Sequence, residues 1–275
     1  IDAGRAQVRM HCLDAAQYPT LPDWPDGTHY VSAPALASAV ARLAPLRDGE
    51  AEKGRPAFAG LNMVVAGGEL VLQAGSPYAV GEIRLPAEGT GDLAALPPMK
   101  IVGDLTKGVS GRAYLGMDRD TLSIGLGDRT SAARCLATEF PGIDRIIRAD
   151  TAHGVQVDVA ETTAALQHVA MFTDRALLEI RPDGLTVSTY TPLGKGYADA
   201  ESSLEVSAEG DGERLFVVPI DRTISVLRVP DSPAVQLGFN PSGGPIITCV
   251  AANTQGAPEA RASFMAIDPE RAKGN

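Results

Sequence analysis

Most of the chain alternates apolar and polar positions with a period of two. In "RAQVRMHCL", Ala6, Val8, Met10 and Cys12 fall on one side and Arg5, Gln7, Arg9 and His11 on the other, the pattern of a half-buried strand. The same alternation runs through Leu122, Ile124 and Leu126, through Leu185 and Val187, through Val235, Leu237 and Phe239, and through Phe264 and Ala266. Turn signals separate these runs: Gly67-Gly68, Pro182-Asp183-Gly184, Gly210-Asp211-Gly212 and Gly243-Gly244-Pro245. The pattern predicts a mainly antiparallel sheet protein.

Two stretches break the alternation in the same way. "SAPALASAVARLAPL" places Leu36, Val40 and Leu43 at helical spacing, with Ser32 as cap and Pro34 in the first turn. "VAETTAALQHVAMF" places Leu166, Val169 and the pair Met171-Phe172 likewise. A shorter helix signal recurs about 70 residues into each unit, over Val102 to Gly111 and over Val217 to Arg228. The order strand, helix, strands, helix, strands therefore appears twice, with a period of roughly 125 residues, as a tandem duplication would give. Each unit is also preceded by a similar connector with an aromatic-Pro pair, Tyr18-Pro19 in "DAAQYPTLPDW" and Phe140-Pro141 in "LATEFPGIDRII".

Composition narrows the classes. In 275 residues, 44% are hydrophobic and 21% charged, which suits a folded core and excludes a disordered chain. No apolar run reaches the ~18 residues of a membrane span, so no membrane partner is expected. The start, "IDAGRAQVRM", lacks the features of a signal peptide and an initiator Met, and reads as a fragment or a processed chain. Cys12, Cys135 and Cys249 are an odd number and far apart, which fits a reducing, cytoplasmic setting. A net charge of −10 opposes a surface that grips nucleic acid on every side, though it leaves room for a local basic face.

Chemistry is sparse. His11, His29, His153 and His168 are scattered without ligand spacing, so no metal site is expected. "GLGDRTS" and "GKG" lack the spacing of a phosphate loop and read as turns. Ser131 and Cys135 have no His near them in sequence, so no catalytic residue and no cofactor are assigned. Trp24, between two prolines, is expected to pack the connector onto the domain. Phe58 and Tyr78 suit either core packing or an apolar docking groove.

"GRAQVRMHCLDAAQYPTLPDW" and "LATEFPGIDRIIR" resemble the two interdomain linkers of the bacterial DNA polymerase III beta subunit, the replicative sliding clamp, and the element order follows that family from about Gly4 to Pro269. The resemblance implies an α+β fold of tandem DNA-clamp domains, each two helices packed on curved antiparallel β-sheets. Residues 1–24 would be the last strand of a preceding clamp domain plus linker, 25–148 a second-domain-like clamp domain and 149–275 a third-domain-like one. It also implies a non-enzymatic processivity factor, cytoplasmic and nucleoid-associated, that encircles double-stranded DNA without sequence preference as a homo-oligomeric ring. In that family a DNA polymerase, or another peptide with a clamp-binding motif, docks in a groove between the two domains.

Carried over by position, the groove falls on Phe58, Gly75, Pro77, Tyr78, Val80, Pro141, Arg145, Ile146, Met265 and Ile267. The family's usual Thr-Asp-Gly-His/Tyr-Arg segment is here Gly75-Ser76-Pro77-Tyr78-Ala79, without its Arg, and Asp268 adds a charge near the C-terminus. The DNA-facing cations on the helices would be Arg42, Lys107, Arg222 and Arg228, with Arg47 and Arg175 just beyond helix ends. The helix "AETTAALQHVAMF" carries none. The altered groove and thin basic face also fit a clamp-fold regulatory module that no longer slides, attached to a MerR-type helix-turn-helix head.

Overall fold

The computed structural model describes residues 2–3, 6–7, 14, 24, 28–47, 54–147, 153–181, 184–190, 203–206, 208–211, 214–239, 246–252 and 259–267. Strands β1 (Asp2–Ala3) and β2 (Ala6–Gln7) form a small hairpin with Ala3 opposite Ala6. The rest of the strand expected from Arg5 to Leu13, and the connector pair Tyr18-Pro19, lie outside the described residues.

The first repeat runs β3 (His29–Ser32), α1 (Ala33–Leu43), β4 (Asn62–Ala66), β5 (Glu69–Gly75), β6 (Ala79–Pro86), β7 (Glu88–Gly89), β8 (Ala94–Ala95), α2 (Met99–Leu105), β9 (Arg112–Asp118), β10 (Thr121–Leu126) and β11 (Arg129–Arg134). A short helix, α3 (Asp144–Ile147), follows the second connector. The second repeat runs β12 (His153–Asp158), α4 (Val159–Val169), β13 (Arg175–Arg181), β14 (Gly184–Thr189), β15 (Ser203–Val206), β16 (Ala208–Asp211), β17 (Arg214–Pro219), α5 (Ile220–Leu227), β18 (Ala234–Phe239), β19 (Ile246–Ala251) and β20 (Ala260–Met265).

The long helices start where the sequence signals lie. Ser32 is extended and caps α1, its Oγ accepting from the Ala35 amide at 3.4 Å, with Pro34 in the first turn. Leu36, Val40 and Leu43 are buried beneath it. Asp158 plays the same part for α4, its Oδ1 accepting from the Glu161 amide at 2.8 Å.

The helix ends differ from expectation in particular places. Helix α2 covers Met99–Leu105, not Val102 to Gly111. Pro97-Pro98 sets its start, Met99 and Val102 supply the buried face, and Gly108, at φ +67°, turns the chain out after Thr106. Helix α5 covers Ile220–Leu227, because Val217 and Val218 remain in β17 as fully buried strand residues and the helix begins only after Pro219. Helix α4 stops at Val169, so Met171 and Phe172 are exposed rather than on its buried face. Gly210-Asp211 is not a turn: both residues pair in β16 with β12.

Pairing repeats along with the order. Strand β3 joins β9 and β7 as β12 joins β18 and β16; β4 joins β5 and β8 as β13 joins β14 and β17. Each repeat thus has one sheet ending in its last strand and another ending in its third hairpin strand. The repeats meet edge to edge there. Strand β6 of the first pairs antiparallel with β20 of the second, Ala260 opposite Ile83 and Phe264 opposite Ala79. The result is one nine-stranded sheet, in the order β16-β12-β18-β19-β20-β6-β5-β4-β8, that runs through both repeats. The five-stranded sheet β11-β10-β9-β3-β7 and the four-stranded sheet β15-β14-β13-β17 complete the repeats.

The helices pack on the sheets over a large apolar core that includes Leu36, Leu43, Leu72, Leu115, Leu166, Phe216, Leu237 and Phe264. Burying apolar area of this kind is the main favourable term in the fold. Trp24 lies against the connector's end: its Nε1 donates to Thr28 Oγ1 at 2.8 Å, and its ring covers Gly125 of β10.

Candidate partner groove and helical face

The junction between repeats brings several predicted groove residues together. The turn joining β5 to β6 is tied by Ser76, whose amide donates to the Ala79 carbonyl at 2.7 Å. Ser76 Oγ also accepts from the Ala79 amide at 3.2 Å and the Tyr78 amide at 3.4 Å. Pro77 occupies the second turn position, where its fixed φ fits, and Gly75 leaves room because a Cβ there would stand 2.4 Å from the Ala79 oxygen. Tyr78 is thereby held out of the core and stays 53% exposed.

Beside this turn, the Met265 amide at the end of β20 donates to the Tyr78 carbonyl at 2.8 Å, and the Met265 side chain is 45% exposed. Ile267 continues past it as a bridge to Val217, with reciprocal bonds of 2.8 and 2.9 Å. On the other flank, Val80 packs with Ile143 and Ile147 in a separate apolar cluster, against which Phe140 and Ile146 lean. Helix α3 is thus fastened to β6 and β20 at the seam. Phe58 is buried and meets Phe140 edge-on, ring centres 6.0 Å apart, while Pro141 beside it is exposed. The side chain of Arg145, and Asp268, lie outside the described residues.

The structure thus places Gly75, Pro77, Tyr78, Val80, Met265 and Ile146 around one seam, with Phe58 set back from it against Phe140. Sequence reading missed Ile143 and Ile147. The i, i+4 spacing of Ile143 and Ile147 was the signal for a short helix seated on the sheet.

The seam is polar on one row. Asn62 Nδ2 donates to Gln73 Oε1 at 2.9 Å and Gln73 Nε2 to Glu82 Oε2 at 2.7 Å. Arg261 from the second repeat reaches Glu82 Oε1 through Nη2 at 2.7 Å and Nε at 3.0 Å, and Arg84 adds a contact at 3.1 Å. Burial by itself would raise the Glu82 carboxyl; the bonds from Gln73 and Arg261 and the charge of Arg84 outweigh it and hold it below the usual glutamate range.

The predicted DNA-facing cations scatter. Arg42 turns into the junction, where its Nη1 donates to the Val229 carbonyl at 2.7 Å and lies 3.9 Å from Asp231. Burial lowers its guanidinium below the usual arginine value, against the attraction of Asp231 and Glu259. Arg222 also leaves the helical face, donating to Ser76 Oγ at 2.9 Å. Lys107 is exposed and pairs with Asp104 at 2.7 Å, and Arg228 is exposed after the end of α5. Between α1 and α2 lies an open cleft of about 340 Å³, lined by Ala37, Val40 and Gly103 with Arg47, Lys100 and Lys107 at its edges beside Asp104. Lys100 was not anticipated, because the predicted helix began after it.

No protein-family model matches the sequence. Solved structures do match it over nearly its whole length. The DNA polymerase III subunit beta from Pseudomonas aeruginosa superposes with a TM-score of 0.83, covering 97% of this chain and 73% of that one at 16% identity. This chain has the sliding-clamp fold. The DNA polymerase sliding clamp from Bacillus subtilis gives a TM-score of 0.81 at 15% identity, over 93% of this chain and 68% of that one. The DNA polymerase III beta subunit from Thermotoga maritima gives 0.79 at 16% identity, over 93% and 69%. The clamp fold is thus retained while most side chains differ, which is what a core specified by apolar pattern and volume permits.

Proposed function

We propose that this chain is a non-enzymatic sliding-clamp component that encircles duplex DNA without sequence preference and docks partner peptides in the groove at the seam. The observation that carries the reading is the edge-to-edge pairing of β6 with β20. It adds one repeat to the next through a continuous sheet, as a closing arc requires, and leaves β11 and β7, and β15 and β17, as the outer strands of the other two sheets. In this reading residues 25–148 and 149–275 are the two clamp domains, residues 1–24 belong to a preceding one, and the ring is a homo-oligomer. Its inner wall is formed by the helices, and its basic contact comes from Arg47, Lys100, Lys107 and Arg228.

The groove reading is supported by exposed Tyr78 and Met265 beside the Val80, Ile143 and Ile147 cluster, which together offer apolar anchor surface. A Pseudomonas aeruginosa clamp of the same fold is bound to griselimycin, and the same compound is the natural probe here. DNA polymerase or another peptide with a clamp-binding motif would take this groove in the cell.

Light scattering after size exclusion, together with retention on circular and linearised duplex DNA, tests the ring. A closed oligomer held on circles and lost from linear ends is the expected result. A strict monomer that is never retained on circles overturns it.

A further inference from the structure

Arg222 was expected on the DNA-facing side of α5, and its geometry puts it to another use. Its Nη1 donates to the Oγ of Ser76 at 2.9 Å, across a separation of 146 residues and from one repeat to the other. Its guanidinium carbon stands 5.3 Å from the centre of the Tyr78 ring, within the range of a cation–π contact. Ser76 is almost fully buried, and its single oxygen also accepts from the Tyr78 and Ala79 amides. One arginine thus holds both the hinge of the β5–β6 turn and the ring that the turn presents.

We propose that Arg222 is a positioning residue of the groove, which locks the β5–β6 turn across the seam and sets the Tyr78 ring as a preformed anchor for an apolar side chain of the docked partner. An exposed ring on a free turn would lose rotamer and backbone freedom on binding; a ring already stacked on a cation has lost much of it beforehand. The guanidinium suits the task because it stacks flat on an aromatic face while still donating in its own plane, which an ammonium does not do. The side chain that would meet Tyr78 is apolar because its cross-strand neighbour is exposed Met265, whose amide bonds the Tyr78 carbonyl, and Val80, two residues on, packs with Ile143 and Ile147. Coupling across the seam follows: whatever separates the repeats withdraws Arg222 from Ser76 and loosens the anchor.

The inference rests on the groove reading above, and the experiment separates the two. Griselimycin is titrated into the full chain and into Arg222→Ala, Arg222→Lys, Tyr78→Ala and the double variant Arg222→Ala/Tyr78→Ala, with hydrogen exchange of residues 76–80 followed in each without ligand. Arg222→Ala should weaken binding about tenfold, as loss of one cation–π contact and one hydrogen bond implies, with Arg222→Lys in between. In the Tyr78→Ala background the Arg222 substitution should have little further effect, since it acts through that ring. The Tyr78 and Ala79 amides should exchange faster in Arg222→Ala, while retention on circular DNA is unchanged. Additive losses in the double variant, or unchanged exchange at these amides, overturn the proposal. A wild-type chain that ignores griselimycin counts against the groove reading alone, and the exchange measurement then still decides whether Arg222 locks the turn.

Discussion

Glu82 and Arg261 face each other directly across the seam between the repeats, one from β6 and one from β20, with Arg261 Nη2 2.7 Å from Glu82 Oε1 and only 2% of the Glu82 side chain exposed. They end a row of paired positions, Asn62, Gln73, Glu82 and Arg261, that crosses the sheet in register. A one-residue slip of β20 against β6 would put Ala260 or Ala262 opposite the carboxylate. The row therefore specifies the register at which two otherwise apolar edges join.

Arg261→Met should leave the Glu82 carboxylate buried without its main partner and cost about 3–5 kcal/mol, whereas Glu82→Leu with Arg261→Met together should recover much of that loss. Urea unfolding of the single and double variants checks it. A single variant as stable as the parent would remove the row from the account of the seam.

The depressed Glu82 carboxyl also predicts an acid limb. Its contribution to stability is fully present above the unfolded glutamate value of about 4.3 and is lost as pH falls below that, through the lower folded value. Melting temperature followed from pH 7 downward should therefore fall less steeply below that value in Glu82→Gln than in the parent.

Gly75→Ala should destabilise by about 1–3 kcal/mol, because the new Cβ has the Ala79 carbonyl and the Val80 backbone within 3 Å and only main-chain movement can relieve it. On the proposed groove reading, the same variant should weaken griselimycin binding by displacing Tyr78. Thermal melting and calorimetry measure the two effects separately.

Charge reversal on the helical face should discriminate between its cations. Lys100→Glu and Lys107→Glu should each lower retention on circular DNA and flatten its salt dependence by about one phosphate contact. Arg42→Ala should instead reduce stability with little change in DNA retention, because that guanidinium already serves the Val229 carbonyl. Gel-shift titration at several salt concentrations reads the first effect and denaturant unfolding the second.

Local interactions made much of the fold legible in the sequence. Alternation placed the strands, Ser32 marked the start of α1, and the doubled order revealed the repeat, because caps and periodicity act within a few residues. The turn residues Gly75, Pro77 and Tyr78 and the Phe140-Pro141 connector were singled out by the resemblance to the clamp linkers and pocket, not by caps or periodicity. Helix ends were less legible where prolines and buried strand residues competed with helical spacing, as at Pro98 and Val217.

What the sequence by itself determined was the set of elements and their repetition. Only the tertiary structure decided which long side chains serve which surface. The resemblance implied Arg42 and Arg222 as DNA-facing cations, yet both reach partners in the other repeat, 187 and 146 residues away. An arginine side chain spans several ångströms and donates in several directions, so its partner is chosen by what the seam brings near, and that seam forms only when β6 pairs with β20.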